Sequence, residues 1–338
     1  MPYGPLTTRQ FGPNPKGSKL TIQEMDDNLL YLSESISSGG GAAFPFTGSA
    51  EISGSIVINS QLTLGVGTGA GYYGGNTYNI ALGFNNLQNN TTGYRNVALG
   101  VGTLRSNTSG SNNVALGYRA LYSNTTGYTN VALGYNTLQY NTEGNNNVAL
   151  GNNTLVSNTT GNSNIALGYE ALNKNTTGYQ NIALGSYALR NNTTGYNNVA
   201  LGAGTLRSNT SGSNNVALGQ SALYSNTTGY ENVAIGDNSL QANTTGFNNV
   251  ALGKNALDSN TTGNYNSGLG YSVQSGNFSG SLMLGAQAAA TANGQLALGS
   301  STYPLGPVSS AVSASSTHTL GINLNGNIYQ IMLISGSI

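Results

Sequence analysis

Side chains that commonly carry out catalysis are scarce and scattered in this chain of 338 residues. His318 is the only histidine and cysteine is absent, which leaves few ways to build a catalytic triad or a metal site of His and Cys ligands. Carboxylates such as Glu143, Glu170 and Glu231 stand far apart, so no pair stands out for general acid–base chemistry. We therefore predict that the chain is not an enzyme and needs neither a cofactor nor a metal.

Tyrosine is the remaining side chain with a binding chemistry of its own, and the chain has 21 of them. Each combines an apolar ring with a polar tip, which suits contact with sugar rings. An alternative is that the rings only shield one part of the chain from the next. The candidates for glycan contact are Tyr118, Tyr122, Tyr128, Tyr135, Tyr140, Tyr224 and Tyr230.

Charge is low and balanced, with ten basic and ten acidic residues that together make up 6% of the chain. This balance gives no electrostatic reason to expect a nucleic acid or an anionic membrane as partner. No stretch approaches the roughly 20 apolar residues of a membrane-spanning helix, so we expect no membrane insertion. The N-terminus lacks the basic and apolar regions of a secretory signal.

The candidate tyrosines lie within an array in which one phrase returns with a fixed 17-residue period. Asn79-Ile80-Ala81-Leu82-Gly83 recurs with little change up to Asn249, and a degraded copy begins at Asn266. A fixed short period of this kind is typical of a solenoid. Gly102 to Gly117 also returns letter for letter as Gly204 to Gly219, which indicates duplication of a six-turn block.

One repeat contains a short strand, a recurring leucine and a turn. Alternation places the two large aliphatic residues of the phrase on one side of the strand, and a further leucine follows. The segment from Tyr118 to Asn124 is compatible with a strand or with a single helical turn. Fixed Asn, Thr and Gly positions then indicate a turn. We predict a solenoid core made of Val97, Leu99, Leu104, Val114, Leu116, Leu121, Val131, Leu133 and Leu138.

Three large aliphatic side chains per turn are a small core for a single-chain solenoid. Backbone hydrogen bonds and asparagine ladders between turns are expected to add stability. We further predict that several chains, most simply three, pack around a common axis and bury the remaining Ala and Gly faces.

The N-terminal segment, residues 1–41, is predicted to contain a helix at about 21–36. Thr21 and Glu24 have the spacing of a capping box. An apolar stripe with coiled-coil spacing favours self-association of this helix, although packing on another domain of the same chain is an alternative. The stripe consists of Ile22, Met25, Leu29, Leu32 and Ile36.

The remaining segments complete a predicted all-β fibre. Residues 42–78 are interpreted as a β-rich neck, 79–270 as the 17-residue repeat shaft and 271–300 as shorter terminal repeats. Residues 301–338 are predicted to form a C-terminal cap or tip, with a hairpin turn at Asn325 and Gly326. If three chains assemble, the three copies of His318 could meet on the axis and bind a metal. The simpler interpretation is that His318 is an ordinary strand residue.

Two resemblances suggest what such a fibre does. The phrase Asn-Val-Ala-Leu-Gly resembles the head repeats of trimeric autotransporter adhesins, which implies a parallel β-roll of three chains, although that family's repeat is shorter than the period of this array. Residues 16–28 and 44–49 resemble the start of fibre-like virion proteins of tailed phages. This second resemblance implies a location on the virion, with residues 1–41 docked on other virion proteins.

Together these features predict a homotrimeric virion fibre that adsorbs to the host surface, with a glycan as the expected ligand. A purely structural decoration or whisker is one alternative. A bacterial surface adhesin or an ice-binding solenoid is another, of which ice binding is disfavoured because the regular threonines lie in a turn.

Overall fold

The computed structural model describes residues 78–302 and two later strands, Thr319–Leu324 and Asn327–Met332. Within these residues the chain is entirely β-strands and turns, and no helix is present. The predicted coiled-coil helix, the neck, the hairpin turn and His318 lie outside the described residues. The described part also has no helix long and apolar enough to cross a membrane.

Fourteen strands of three residues form one parallel sheet in which each strand pairs with the next along the chain. Successive strands follow the 17-residue period through most of the stack, as in the pairing of Val97 with Val114. The period then shortens, first at the pairing of Ser267 with Leu282 and again at that of Leu282 with Leu296. The strands are β1 Ile80–Leu82, β2 Val97–Leu99, β3 Val114–Leu116, β4 Val131–Leu133, β5 Val148–Leu150, β6 Ile165–Leu167, β7 Ile182–Leu184, β8 Val199–Leu201, β9 Val216–Leu218, β10 Val233–Ile235, β11 Val250–Leu252, β12 Ser267–Leu269, β13 Leu282–Leu284 and β14 Leu296–Leu298. The predicted parallel β-solenoid with a 17-residue repeat is confirmed.

A glycine ends each strand of the regular repeat because its backbone conformation and its neighbours exclude a side chain. Gly117 has a φ of +126°, and a Cβ atom added there would lie 2.2 Å from the carbonyl oxygen of Gly134 in the next turn. Only glycine allows both the conformation and the close approach.

The segment after the glycine is neither a strand nor a helical turn but a series of bends and turns. Arg119 and Leu121 both have left-handed backbone conformations, with φ values of +54° and +51°. Single residues in this region reverse the chain direction without extending a helix. Leu121 nevertheless is fully buried, and the equivalent leucine of every regular turn is buried in the same way.

The side of the strand that faces the interior differs from the prediction. Ala98, Ala115 and Ala132, at the middle of their strands, are fully buried, whereas the flanking valines and leucines are only partly covered. Of the predicted core residues, Leu104, Leu121 and Leu138 are fully buried. Those outside the core of the single chain are Val97, Leu99, Val114, Leu116, Val131 and Leu133.

In the regular turns alanine always holds the central strand position, and buried leucines such as Leu104, Leu121 and Leu138 fill the interior beside it. In the degraded repeat Gly268 replaces the alanine, and a Cβ atom there would already lie 2.7 Å from Cγ2 of Val273 and 3.0 Å from Cγ of Leu257. The one larger side chain at this position among the described strands of the sheet, Met283 of β13, is fully buried beside Gly268 of the preceding strand. The expectation that assembly buries the alanines is therefore wrong, since each chain buries them by itself.

Two asparagine ladders run through the interior, as predicted. In the first, the backbone N–H of Asn130 donates to Oδ1 of Asn113, 2.9 Å away, and this contact recurs from turn to turn. In the second, Nδ2 of Asn124 donates to Oδ1 of Asn107 at 2.8 Å. Both ladders also converge on one backbone carbonyl, because Asn113 and Asn124 each donate to the oxygen of Gly127 at 2.9 Å. Burial of these amides is therefore fully compensated by hydrogen bonds.

The last two described strands form a separate two-stranded antiparallel sheet. β15 (Thr319–Leu324) pairs with β16 (Asn327–Met332), with Leu320 opposite Ile331. Whether this pair closes the solenoid as a cap stays a prediction.

Candidate functional site

The outer side of the strands carries a continuous apolar strip. We call the side chains at the first and third strand positions of β1 to β11 the outer strip, because they point away from the buried alanines. These positions hold only Val, Ile and Leu, and several are markedly exposed, including Ile165 at 39% and Ile235 at 42%. Fourteen strands spaced by about 4.8 Å make the whole sheet on the order of 60 Å long. An exposed apolar surface of this length is typical of an interaction surface.

The seven candidate tyrosines do not form one site. Numbered from the asparagine that opens the repeat, Tyr118 and Tyr135 occupy the fifth position after it, and Tyr122 and Tyr224 the ninth. The others occupy the tenth and fifteenth positions: they are Tyr140, Tyr128 and Tyr230.

Aromatic side chains at equal positions of successive turns stack on each other. The rings of Tyr118 and Tyr135 are 5.2 Å apart and nearly parallel, and those of Tyr230 and Phe247 are 4.8 Å apart. The strand spacing of about 4.8 Å places such rings at stacking distance. The stacking supports the alternative in which tyrosines shield neighbouring turns, but it leaves ring edges and terminal ring faces open.

One cluster of side chains on the outer surface surrounds Tyr122. The guanidinium carbon of Arg105 lies 5.5 Å from the centre of this ring, and that of Arg119 lies 5.4 Å from it. Arg119 also lies 5.1 Å from the ring centre of Tyr118, within the range of cation–π attraction. We call Arg105, Tyr118, Arg119, Tyr122 and Tyr135 the arginine–tyrosine cluster.

Arg105 is held in place from two sides. Its Nε donates to the side-chain oxygen of Gln88, 2.8 Å away in the preceding turn, and its Nη1 donates to the hydroxyl of Tyr122 in the following turn. Arg119 is exposed, whereas Arg105 and Tyr122 are half-buried. The arrangement therefore presents one hydrogen-bonded and one exposed guanidinium at the same ring.

No carboxylate of the described residues neutralises this cluster. The described sequence from Tyr78 to Thr142 contains Arg95, Arg105 and Arg119 but no Asp or Glu. Within the described residues, the one ion pair joins Arg190 to Glu170. Glu143 is exposed in the Asn-Thr-Glu-Gly turn of the repeat that contains Tyr135 and forms no ion pair in the described part of the chain, whereas Glu170 lies three turns beyond Arg119, about 14 Å along the stack. The cluster is thus a positively charged patch on an otherwise weakly charged solenoid.

The duplicated block contains a second version of the cluster with different charge. Arg207 repeats the contacts of Arg105, with its guanidinium carbon 5.4 Å from the ring centre of Tyr224 and a hydrogen bond to that hydroxyl. Gln220 and Ser221 replace Tyr118 and Arg119, and Asp237 replaces Tyr135.

In the turn before Arg207, Arg190 takes the place of Gln88. Nε of Arg190 pairs with Oε2 of Glu170 at 2.5 Å. Burial alone would raise the pKa of the Glu170 carboxyl, but hydrogen bonds from Arg190 and Tyr169, with the nearby guanidinium charges, lower it below its ordinary value. The hydrogen bond with Glu170 and its negative charge raise the pKa of Tyr169. The second cluster is therefore internally compensated, while the first is not.

The arginines and Gln88 were not predicted as site residues, although their positions within the repeat indicate that they lie close together. Arg105 and Tyr122 both occupy the ninth position of successive turns, so aligning the repeats in columns places them side by side. The described residues contain no group of three or more His, Cys, Asp or Glu side chains that could hold a metal ion.

Comparison of the chain with models of known protein families and with curated proteins found no match.

Proposed function

We propose that this chain is a structural fibre of a tailed-phage virion, assembled from three copies, that mediates adsorption to glycans of the host surface. The observation that supports it best is the outer strip, an uncharged row of Val, Ile and Leu side chains on a long, regular stack. A virion location is supported by the resemblance of the N-terminal residues 16–28 and 44–49 to fibre-like virion proteins.

Further copies of the same chain are the partner that suits the outer strip best. Each copy repeats its apolar rows at the same spacing, so rows of parallel copies can match over the full length of the stack. The strip contains no charged residue between Ile80 and Leu252 that would need a complementary partner charge. The predicted coiled-coil stripe of the N-terminal helix agrees with association of parallel chains.

Sedimentation of the full chain at several concentrations tests the assembly. We expect a mass three times the 34.5 kDa of one chain. Changing Leu116→Lys and Leu133→Lys together should yield folded monomers, because two charges would be buried in the interface. Thr126→Lys, an exposed change on another side of the turn, is the matched control and should leave the trimer intact. A monomeric wild-type chain would contradict the proposal.

Antibody labelling of virions and binding of the purified chain to host cells test the remaining claims. We expect the antibody to mark a filament on the virion and the chain to bind cells. Labelled virions combined with no binding to cells would favour the second candidate, a purely structural decoration. The regularity of the stack favours that candidate, since the interior residues specify length and stiffness but no ligand.

A further inference from the structure

We infer that the arginine–tyrosine cluster at Arg105, Tyr118, Arg119, Tyr122 and Tyr135 is a binding site for an acidic polysaccharide whose sugar units carry carboxylates. This inference rests on the proposed adsorption to glycans and names both the site and the class of glycan. It places recognition near the N-terminal end of the described stack, rather than at the C-terminal tip.

The positive charge of the cluster favours an anionic ligand. Two guanidinium groups approach one ring, and no carboxylate of the described residues pairs with either of them. Arginine matches the geometry of a carboxylate because its planar group donates two parallel hydrogen bonds. Arg105 is already oriented by Gln88 and Tyr122, so it loses little conformational freedom when a ligand binds.

The aromatic residues favour a sugar over other anions. Stacking covers one face of Tyr135, and the next residue in its row is Asn152, which has no ring to cover the other face. An exposed tyrosine ring can accept the apolar face of a sugar while its hydroxyl bonds to sugar hydroxyls. Tyr135 is 48% exposed, and Tyr118 is also exposed, with the guanidinium carbon of Arg119 5.1 Å from its ring centre. The cluster extends over three consecutive turns, a length that suits a short run of sugar units.

A nucleic acid is a less suitable ligand for these residues. Binding to a phosphate backbone needs many cations along its path, whereas the whole chain has balanced charge and this patch offers only two arginines at one ring.

The duplicated block serves as an internal control because it has the same backbone with a different set of outer side chains. Arg119 and its counterpart Ser221 share the left-handed conformation, with φ values of +54° and +57°. Exchange of these residues should therefore leave the fold unchanged. Asp237, the counterpart of Tyr135, would repel a carboxylate, so the second block should not bind.

Binding of the full chain to polygalacturonate, measured by titration calorimetry, tests the site. We expect binding at low salt that weakens as salt is added. Arg119→Ser should lower the affinity about tenfold or more, since a charge-assisted hydrogen bond is lost. Arg190→Gln should leave the affinity unchanged, because Arg190 is already paired with Glu170. The fully methyl-esterified polymer, which has the same sugar without its charge, should not bind.

Transfer of the cluster gives the complementary test. The combined changes Gln220→Tyr, Ser221→Arg and Asp237→Tyr should create a second site and double the number of sugar segments bound per chain. The assignment would be overturned if Arg119→Ser left the affinity for polygalacturonate unchanged. It would also be overturned if the chain bound the methyl ester equally well or bound single-stranded DNA more tightly. If the chain binds host cells but not polygalacturonate, this inference fails while the proposed adsorption stands. If it binds neither cells nor any glycan, the proposed adsorption fails as well.

Discussion

Inside each turn Ala115, Leu121 and the two asparagine ladders are fully buried, whereas Val114 and Leu116 of the same strand remain partly exposed. Both surfaces carry apolar side chains and both repeat along the stack, but only the inner one is completed by the chain itself. The inner surface combines close packing with the hydrogen bonds of the asparagine ladders. The difference shows that the repeat specifies the coil from within, while the outer surface is open to partners and to variation.

Gly117→Ala should have the largest effect on the inner surface. The added Cβ would lie 2.2 Å from a backbone oxygen of the next turn, and the φ of +126° is unsuitable for alanine. We expect a loss of about 4 kcal/mol or more in the free energy of unfolding, measured by chemical denaturation. Gly102→Asn is the control, because asparagine occupies the same position of the turn at Asn136 with a similar conformation. Equal effects of the two changes would show that the close approach does not matter.

Asn130→Ala should interrupt the first ladder. The change removes Oδ1 of Asn130, which accepts hydrogen bonds from the backbone N–H and from the side-chain amide of Asn147. Both asparagines are fully buried. Each unsatisfied buried group costs about 1–3 kcal/mol, so we expect a loss of about 3 kcal/mol in the free energy of unfolding. Asn152→Ala, at an exposed position, should change it by less than about 0.5 kcal/mol. A small effect of Asn130→Ala would mean that water replaces the lost acceptor.

The two faces of one strand can be compared directly at Ala132 and Leu133. Ala132→Leu adds volume to the closed interior and should cost about 2–3 kcal/mol in the free energy of unfolding. Leu133→Ala removes a partly exposed side chain and should cost about 1 kcal/mol or less within one chain. If copies associate through the outer strip, the loss at Leu133 should also depend on protein concentration. The reverse order of the two effects would contradict the assignment of the faces.

Glu170→Gln should have the smallest effect, because its ion pair lies on the outer surface. The pKa of Glu170 is lowered in the folded chain, so its contribution to stability is present above the ordinary carboxyl pKa and is lost as the pH falls through the folded value. We expect a loss of about 1 kcal/mol or less at neutral pH and none at strongly acidic pH, measured by denaturation across that range. Glu143→Gln, at an exposed position without an ion pair among the described residues, is the matched control and should change the free energy of unfolding by less than about 0.5 kcal/mol at neutral pH. If Glu170→Gln lowered the free energy of unfolding equally at acidic pH, the effect would come from packing and not from the ion pair.

Much of this architecture follows from the 17-residue period. The recurring Gly117 and the asparagines at fixed positions indicated turns and ladders, because few other side chains suit those roles. The arginine–tyrosine cluster was not predicted, since Arg105 and Tyr122 are one full period apart in the sequence and meet only once the chain has coiled.

The sequence by itself determined the repeat, the short strands and the parallel register, since a strict period allows each turn to pair only with its equivalent. Only the tertiary structure decided which side of the strand faces inward. Ala115, Val114 and Leu116 are all apolar, so hydrophobicity could not distinguish the two faces. In the regular turns leucines such as Leu121 fill the buried space beside the strand, so the small alanine faces inward and the larger valine and leucine face outward.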